Sequence, residues 1–248
     1  MLDGRTFFIA AVFILAGVTK GIIGLGLPTI SMGLLALVMT PVEAAAILFL
    51  PSLVTNVWQM VAGPSLRAIA RRLWPMMLAV CIGTWAGAGL MTGATGRYGA
   101  ALLGLALMLY ALSGLASIRI TVSKRHETWL GPLIGGLTGI VTAATGVFAI
   151  PAVPYLQAIG LEKEELIQAL GLSFTVSTLA LAVNLVLAGA LKASIAGPSL
   201  GALAVALAGV WAGQALRLRM HPTTFRRWFF IGLLLLGLYL ALGPLIGV

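Results

Sequence analysis

The sequence predicts an all-α polytopic membrane protein built from two inverted repeats of about four helices each, every repeat beginning with a broken helical hairpin. Three observations lead to this fold class: few charged residues, apolar runs of membrane-spanning length, and internal repetition. Of the 248 residues, 60% are apolar and 8% are charged, whereas a soluble domain carries about 25% charged residues. A surface that faces water needs more ionisable groups. The composition therefore excludes soluble enzymes and nucleic-acid-binding domains, and makes the lipid bilayer the first expected partner.

Apolar runs mark the predicted helices, because a spanning helix needs about 20 apolar residues. The runs fall at 6–38, 43–63, 74–93, 98–118, 130–159, 166–189, 196–216 and 228–246. Two of them, 6–38 and 130–159, are too long for one ordinary span. Both are interrupted by glycine and then proline, at Gly24, Gly26 and Pro28 in the first and at Thr145, Gly146 and Pro151 in the second. We therefore expect each to form two half-helices joined by irregular backbone.

Short sequence motifs recur along the chain and divide it into two similar halves. Gly83-Thr-Trp-Ala-Gly87 recurs as Gly209-Val-Trp-Ala-Gly213, Gly17-Val-Thr19 parallels Gly136-Leu-Thr138, and Glu43 parallels Glu165. This ordered set predicts a duplicated unit: a first transmembrane repeat at 1–120, a cytoplasmic linker at 121–129 and a second repeat at 130–248. The Gly-x-x-x-Gly pairs themselves predict close helix packing rather than substrate contacts.

Basic residues orient the two repeats. If each broken run is a hairpin that enters and leaves the membrane on one side, eleven basic residues lie on one side and three on the other. The eleven are Arg67, Arg71, Arg72, Arg119, Lys124, Arg125, Lys163, Arg217, Arg219, Arg226 and Arg227, and the three are Arg5, Arg97 and Lys192. The positive-inside rule places the eleven in the cytoplasm. Both termini then face outward, and the hairpins enter from opposite faces, as inverted repeats require.

The breaks predict an anion site. A helix that starts inside the membrane presents unpaired N–H groups and the positive end of its dipole, and an anion satisfies both. We therefore expect substrate contacts near the midplane at Gly24, Gly26, Pro28, Thr145, Gly146 and Pro151. Lys20 is the expected counter-charge, because a charge inside a membrane usually marks a ligand or a pathway. The alternatives are that the glycines only kink or pack helices, and that Lys20 extends to an interface.

Polar side chains follow each broken run. Ser52, Thr55, Asn56 and Gln59 share one helical face, and the corresponding helix of the second half carries Gln168, Ser173, Thr175, Ser177, Thr178 and Asn184. Such groups either bind substrate oxygens or join helices to one another. The residues predicted to bind substrate are Ser52, Asn56, Gln59, Ser173, Ser177 and Thr178.

Glu43 is the one carboxylate that an intramembrane proton carrier could use. The segment Thr40-Pro41-Val42-Glu43 is, however, a capping box with proline at the first helical position, so we expect a capping role. No nucleophile–base pair, nucleotide-binding loop or acidic metal cluster is recognisable. We therefore expect no enzyme activity, no catalytic residue, no cofactor and no metal.

A family resemblance rests on the two hairpins and on two short segments that follow the second one. The hairpins are Gly17-Val-Thr-Lys-Gly-Ile-Ile-Gly-Leu-Gly-Leu-Pro28 and Gly139-Ile-Val-Thr-Ala-Ala-Thr-Gly-Val-Phe-Ala-Ile-Pro-Ala-Val-Pro-Tyr155, and the short segments are Gly160-Leu161 and Gly171-Leu-Ser-Phe174. Over nearly its whole length the chain resembles the sulfite exporter TauE/SafE family, also called the sulfonate uptake permease group. The resemblance implies alternating-access transport of sulfite or an organosulfonate such as sulfoacetate across the bacterial inner membrane. Both hairpins hold fewer glycines than the family's usual run, which leaves the identity of the anion open.

Three other functions compete with this one: an anion channel, a proton- or cation-coupled transporter that uses Glu43, and an intramembrane enzyme that uses the same residue. The expected partners are a small anionic substrate and the bilayer, with a homodimer as an open option.

Overall fold

The computed structural model describes residues 4–91, 98–116, 121–219 and 222–246, and all of its regular structure is helical. Two of the basic residues in the charge count, Arg97 and Arg119, lie outside this part of the chain. The described helices are α1 (Gly4–Ile23), α2 (Leu27–Leu35), α3 (Pro41–Val61), α4 (Leu66–Ala86), α5 (Gly99–Ala116), α6 (Lys124–Thr145), α7 (Ala152–Ala158), α8 (Lys163–Leu187), α9 (Ala193–Arg217) and α10 (Pro222–Ile246). Six of them, α1, α3, α5, α8, α9 and α10, are long and apolar enough to cross a membrane. The predicted all-α membrane fold is confirmed.

Both long apolar runs are broken where the glycines predict. Helix α1 ends before Gly24 and Gly26, whose φ angles of 76° and 102° belong to the left-handed region that favours glycine. Helix α6 ends at Gly146, with a φ of 71°. Each break is followed by a short helix, α2 or α7.

The expectation of two half-helices per run is wrong for the first member of each hairpin. Helix α1 has 20 residues and α6 has 22, so each rises about 30 Å or more at about 1.5 Å per residue. Only α2 and α7, with 9 and 7 residues, have half-helix length. The glycines determine where the first helix of each hairpin ends. The start of that helix lies among polar residues, which are outside the apolar run from which the helix was predicted.

Three helices begin six or eight residues earlier than their apolar runs predict. Helix α4 starts at Leu66 instead of 74, α6 at Lys124 instead of 130, and α10 at Pro222 instead of 228. In each case the added turns carry basic residues, which are good helix formers. Helix α6 thus begins inside the segment 121–129 that the sequence predicts to be a linker.

Helices of the first half pack mainly against helices of the second. Helix α1 packs on α9, α4 on α6, α3 on α8 and α5 on α10. Glycines allow the closest of these approaches: Gly17 meets Gly209 between α1 and α9, and Gly83 meets Gly136 between α4 and α6. The predicted role of the Gly-x-x-x-Gly pairs in helix packing is confirmed, because a Cβ at Gly83, Gly87, Gly209 or Gly213 would collide with the neighbouring helix.

Candidate functional site

Lys20 lies in the last turn of α1 and is almost fully buried, with 6% of its surface exposed. Its Nζ donates a hydrogen bond to Oδ1 of Asn56 on α3. The Lys20 side chain is therefore directed into the protein, towards α3. Among the described residues no carboxylate pairs with Lys20, since the ion pairs there join Arg5 to Glu43 and Arg72 to Glu127. The Lys20 ammonium is thus held by a neutral amide.

Hydrogen bonds extend from Lys20 into the second half of the chain. Asn56 Nδ2 donates to Thr178 Oγ1 on α8 at 3.5 Å. Gln59 Nε2 donates to the Gly24 carbonyl at 3.4 Å and to the Ile167 carbonyl at 3.0 Å. Lys20, Asn56, Gln59 and Thr178, called the Lys20 cluster below, therefore connect α1, its break, α3 and α8.

A narrow cleft continues the Lys20 cluster towards the second break. Its lining includes Ser52, Gly146 and Thr178, together with Ala45, Leu48, Phe49, Phe148, Leu181 and Leu185. The Ser52 hydroxyl is buried and has no hydrogen-bond partner in the described structure. The cleft has a volume of about 10 Å³, which is about what one water molecule needs. In this structure the cleft therefore has room for no more than about one water molecule.

The second break is also in contact with α2. A Cβ on Gly146 would lie 2.7 Å from Cε of Met32, a residue of α2. The second break thus packs directly against the first hairpin. Ser52 and Gly146 are consequently gathered with Thr178 of the Lys20 cluster around one cleft.

Other residues of the predicted site shape the breaks. Gly26 brings the chain within contact of Thr19, where a Cβ would lie 2.8 Å from the threonine methyl group, and Pro28 stands in the first turn of α2. Thr145 Oγ1 donates to the Val141 carbonyl at 2.7 Å and accepts from the amide of Val147 at 3.2 Å. Pro151 precedes the first residue of α7. These residues lie where the helices of the hairpins end and begin.

Ser173 and Ser177 lie on another face of α8. Both are fully buried, and their hydroxyls have no partner in the described structure. They share a helical face with Asn184, whose Nδ2 donates to the Thr84 carbonyl on α4 at 2.8 Å. The structure therefore places them on the α4 side of α8, whereas Thr178 bonds to α3.

Two further features were not predicted. Ser31 on α2 is fully buried with an unpartnered hydroxyl, and its only sequence signal is a polar residue soon after Pro28 in a short apolar segment. Phe148 and Phe174, with ring centroids 5.2 Å apart, are both buried, and Phe148 closes one wall of the cleft. Apolar sequence offers no signal that would single out these two rings.

Several other polar residues of the same helices form hydrogen bonds within the protein. Gln168 donates to the Met60 carbonyl at 2.8 Å and to the Gly63 carbonyl at 2.7 Å, and accepts from the Ser65 amide at 3.0 Å. Thr55 and Thr175 donate to carbonyls of their own helices. The polar groups of these side chains are therefore hydrogen-bonded to backbone atoms of the protein.

Glu43 caps α3, as predicted. Its amide donates to Thr40 Oγ1 at 3.3 Å, and the Thr40 amide donates to Glu43 Oε2 at 3.1 Å. The side chain is 52% exposed and lies 3.6 Å from Arg5. Glu43 is thus a surface residue at a helix start, remote from the Lys20 cluster.

A comparison with protein-family models matches residues 9–240 to the family described as sulfite exporter TauE/SafE. No curated protein and no solved structure matches the chain. The family match covers both hairpins and every residue of the Lys20 cluster.

Proposed function

The chain belongs to the sulfite exporter TauE/SafE family, and from this premise we propose that it is a secondary transporter of a small anion. The cargo is sulfite or an organosulfonate such as sulfoacetate, carried across the bacterial inner membrane by alternating access. The binding site is the region between the two breaks, around the Lys20 cluster. The protein is a carrier and performs no chemistry on its substrate.

Burial of Lys20 without a carboxylate partner is the observation that carries this proposal. A buried charge that lacks an opposite charge costs free energy, and an anion bound beside Lys20 Nζ offsets that cost. Asn56 Nδ2 and the free Ser52 hydroxyl add hydrogen-bond donors for its oxygens. The site therefore favours an anion rich in oxygen atoms over a cation.

The arrangement of helices supports two repeats related by a pseudo-two-fold axis. The pairs α1–α9 and α4–α6 exchange under such an axis, as do their contacts Gly17–Gly209 and Gly136–Gly83. Asn56 follows Glu43 by the same number of residues as Thr178 follows Glu165, and these two side chains are hydrogen-bonded to each other. The axis then passes through the centre of the Lys20 cluster, which is where a carrier with inverted repeats binds its substrate.

The narrow cleft supports a moving carrier over an open pore. Its volume of about 10 Å³ is too small for sulfite, so the hairpins must separate from α3 and α8 to admit it. A permanently open pore needs a continuous path, whereas alternating access includes a conformation with a narrow site of this kind.

Thermal denaturation of the purified protein with sulfite, sulfoacetate, sulfate and carboxylates tests the proposed site. A ligand that binds the native state raises the melting temperature, so we expect sulfite or an organosulfonate to do so. Ser52→Ala should reduce that rise while leaving the unliganded melting temperature unchanged, because the Ser52 hydroxyl has no hydrogen-bond partner among the described residues. Ser199→Ala is the matched control: it removes a 2.8 Å hydrogen bond to the Ile47 carbonyl, so it lowers the melting temperature but keeps the rise.

Counterflow in proteoliposomes separates the carrier from an anion channel. We expect labelled sulfite uptake to saturate and to be stimulated by unlabelled sulfite on the opposite side. Uptake that rises linearly with concentration and shows no counterflow would contradict the carrier and favour a channel.

Glu43→Gln is expected to leave both sulfite uptake and melting temperature nearly unchanged. Glutamine still completes the capping box, and the exposed ion pair to Arg5 contributes at most about 1 kcal/mol. Thr40→Ala is the control, since losing the cap should cost about 1 kcal/mol with little effect on uptake. Loss of uptake in a well-folded Glu43→Gln protein would instead support coupling through this carboxylate.

A further inference from the structure

A second cavity lies between the end of α5 and the first turns of α10. It has a volume of about 490 Å³ and is lined by Gly114, Leu115, Thr223, Arg226, Arg227 and Phe230. None of these residues belongs to the Lys20 cluster or to the narrow cleft. Its volume falls within the range of about 300–1,000 Å³ that is typical of ligand pockets.

The cavity offers positive charge and hydrogen-bond donors. Arg226 and Arg227 both line it, and among the described residues neither pairs with a carboxylate. The Arg226 guanidinium lies 5.6 Å from the centroid of the Phe230 ring, a cation–π contact that restrains its position. Thr223 adds a hydroxyl and belongs to the first turn of α10, where backbone N–H groups have no partner within the helix. This donor set suits an anion with several oxygen atoms, such as a phosphate group.

The position of the cavity favours a lipid over a soluble anion as its ligand. Helices α5 and α10 are both membrane-spanning by length and composition, so the ends that form the cavity lie at the boundary of the bilayer. Leu115 and Phe230 give it apolar walls. Trp228, beside the two arginines, is 68% exposed, as is typical of tryptophan at a membrane interface. A phospholipid fits this position, because its phosphate group would lie beside the arginines and its hydrocarbon tails beside the apolar walls and the bilayer.

We propose that this cavity binds the phosphate headgroup of an anionic phospholipid. Basic pockets between transmembrane helices bind such headgroups, and the α5–α10 pair provides one with two arginines and a packed aromatic floor. The aromatic floor is the Phe230 ring, and it can lie there because residue 114 is glycine. Any side chain at Gly114 would collide with this ring. The bound lipid would join the ends of α5 and α10 and stabilise this pair.

Thermal denaturation in detergent with added lipid tests the proposal. Phosphatidylglycerol should raise the melting temperature of the unaltered protein, and phosphatidylethanolamine should not. The double variant Arg226→Gln/Arg227→Gln should lose this rise. Arg217→Gln/Arg219→Gln removes the same charge from exposed residues outside the cavity and should keep the rise.

Two outcomes would overturn the lipid site. One is an equal rise in the Arg226→Gln/Arg227→Gln protein, which would place the lipid elsewhere. The other is an equal rise with inorganic phosphate or glycerol phosphate, which would show a site for soluble anions. If the double variant does not fold, Thr223→Glu replaces it: this exposed position lies in the cavity lining, and its added carboxylate should repel the headgroup and abolish the rise. The result is independent of sulfite transport, because no residue of the Lys20 cluster is altered.

Discussion

Replacing Lys20 by methionine is expected to reduce both sulfite affinity and sulfite uptake by about 10- to 100-fold. A hydrogen bond to a charged group contributes about 1.5–3 kcal/mol, and each 1.4 kcal/mol corresponds to about a tenfold change in affinity. Methionine fills a similar volume without the ammonium, so an anion in the cleft would lose the positive charge of Lys20. Initial uptake rates in proteoliposomes and ligand-dependent melting temperatures measure the two effects.

The fold should tolerate this change. Methionine removes the cost of burying a charge but leaves Asn56 Oδ1 without its donor, which costs about 1–3 kcal/mol, so the two effects oppose each other. Lys192→Met is the matched control, because Lys192 is exposed and its replacement should change neither affinity nor uptake. Unchanged affinity and uptake in a folded Lys20→Met protein would remove Lys20 from the site and contradict the proposed function.

Much of the fold could be predicted because its causes are local. Apolar composition determines the membrane class, and Gly24, Gly26 and Gly146 mark breaks because their positive φ angles favour glycine. Helix starts were predicted less well, since α4, α6 and α10 continue into basic turns that an apolar window does not include. Local pattern therefore predicts where a helix must stop better than where it can begin.

The candidate site depends on contacts between distant segments, which spacing alone does not determine. Asn56 and Gln59 were predicted together from their common face, and both reach the region around Lys20 and Gly24. Ser177 and Thr178 were both predicted to bind substrate. These two residues lie about 100° apart around a helix, and Thr178 is the one whose side chain is hydrogen-bonded to Asn56 on α3. Which face of α8 meets α3 is a tertiary property that a single sequence does not specify.

Gly139→Ala is expected to destabilise the protein by about 1–3 kcal/mol, the usual cost of an overpacked core position. A Cβ at Gly139 would collide with the Val80 carbonyl oxygen and would lie 2.5 Å from the Thr84 amide nitrogen. Both obstacles are backbone atoms of α4, so no side chain can rotate away and the helices must move apart. The melting temperature in detergent and the recovery of monodisperse protein measure the loss.

Gly136→Ala on the same helix is the matched control, because a Cβ there meets nothing within 4 Å. Alanine favours a helix over glycine by about 1 kcal/mol, so this variant should be as stable as the unaltered protein or more so. The two glycines lie three positions apart on α6 and differ only in what α4 presents to them. Equal melting temperatures for both variants would show that α4 and α6 do not pack as closely as their glycines indicate. A loss confined to Gly139→Ala would establish that the contact between the two halves depends on backbone approach. A carrier that opens by separating its halves would then be sensitive to side-chain size at this contact.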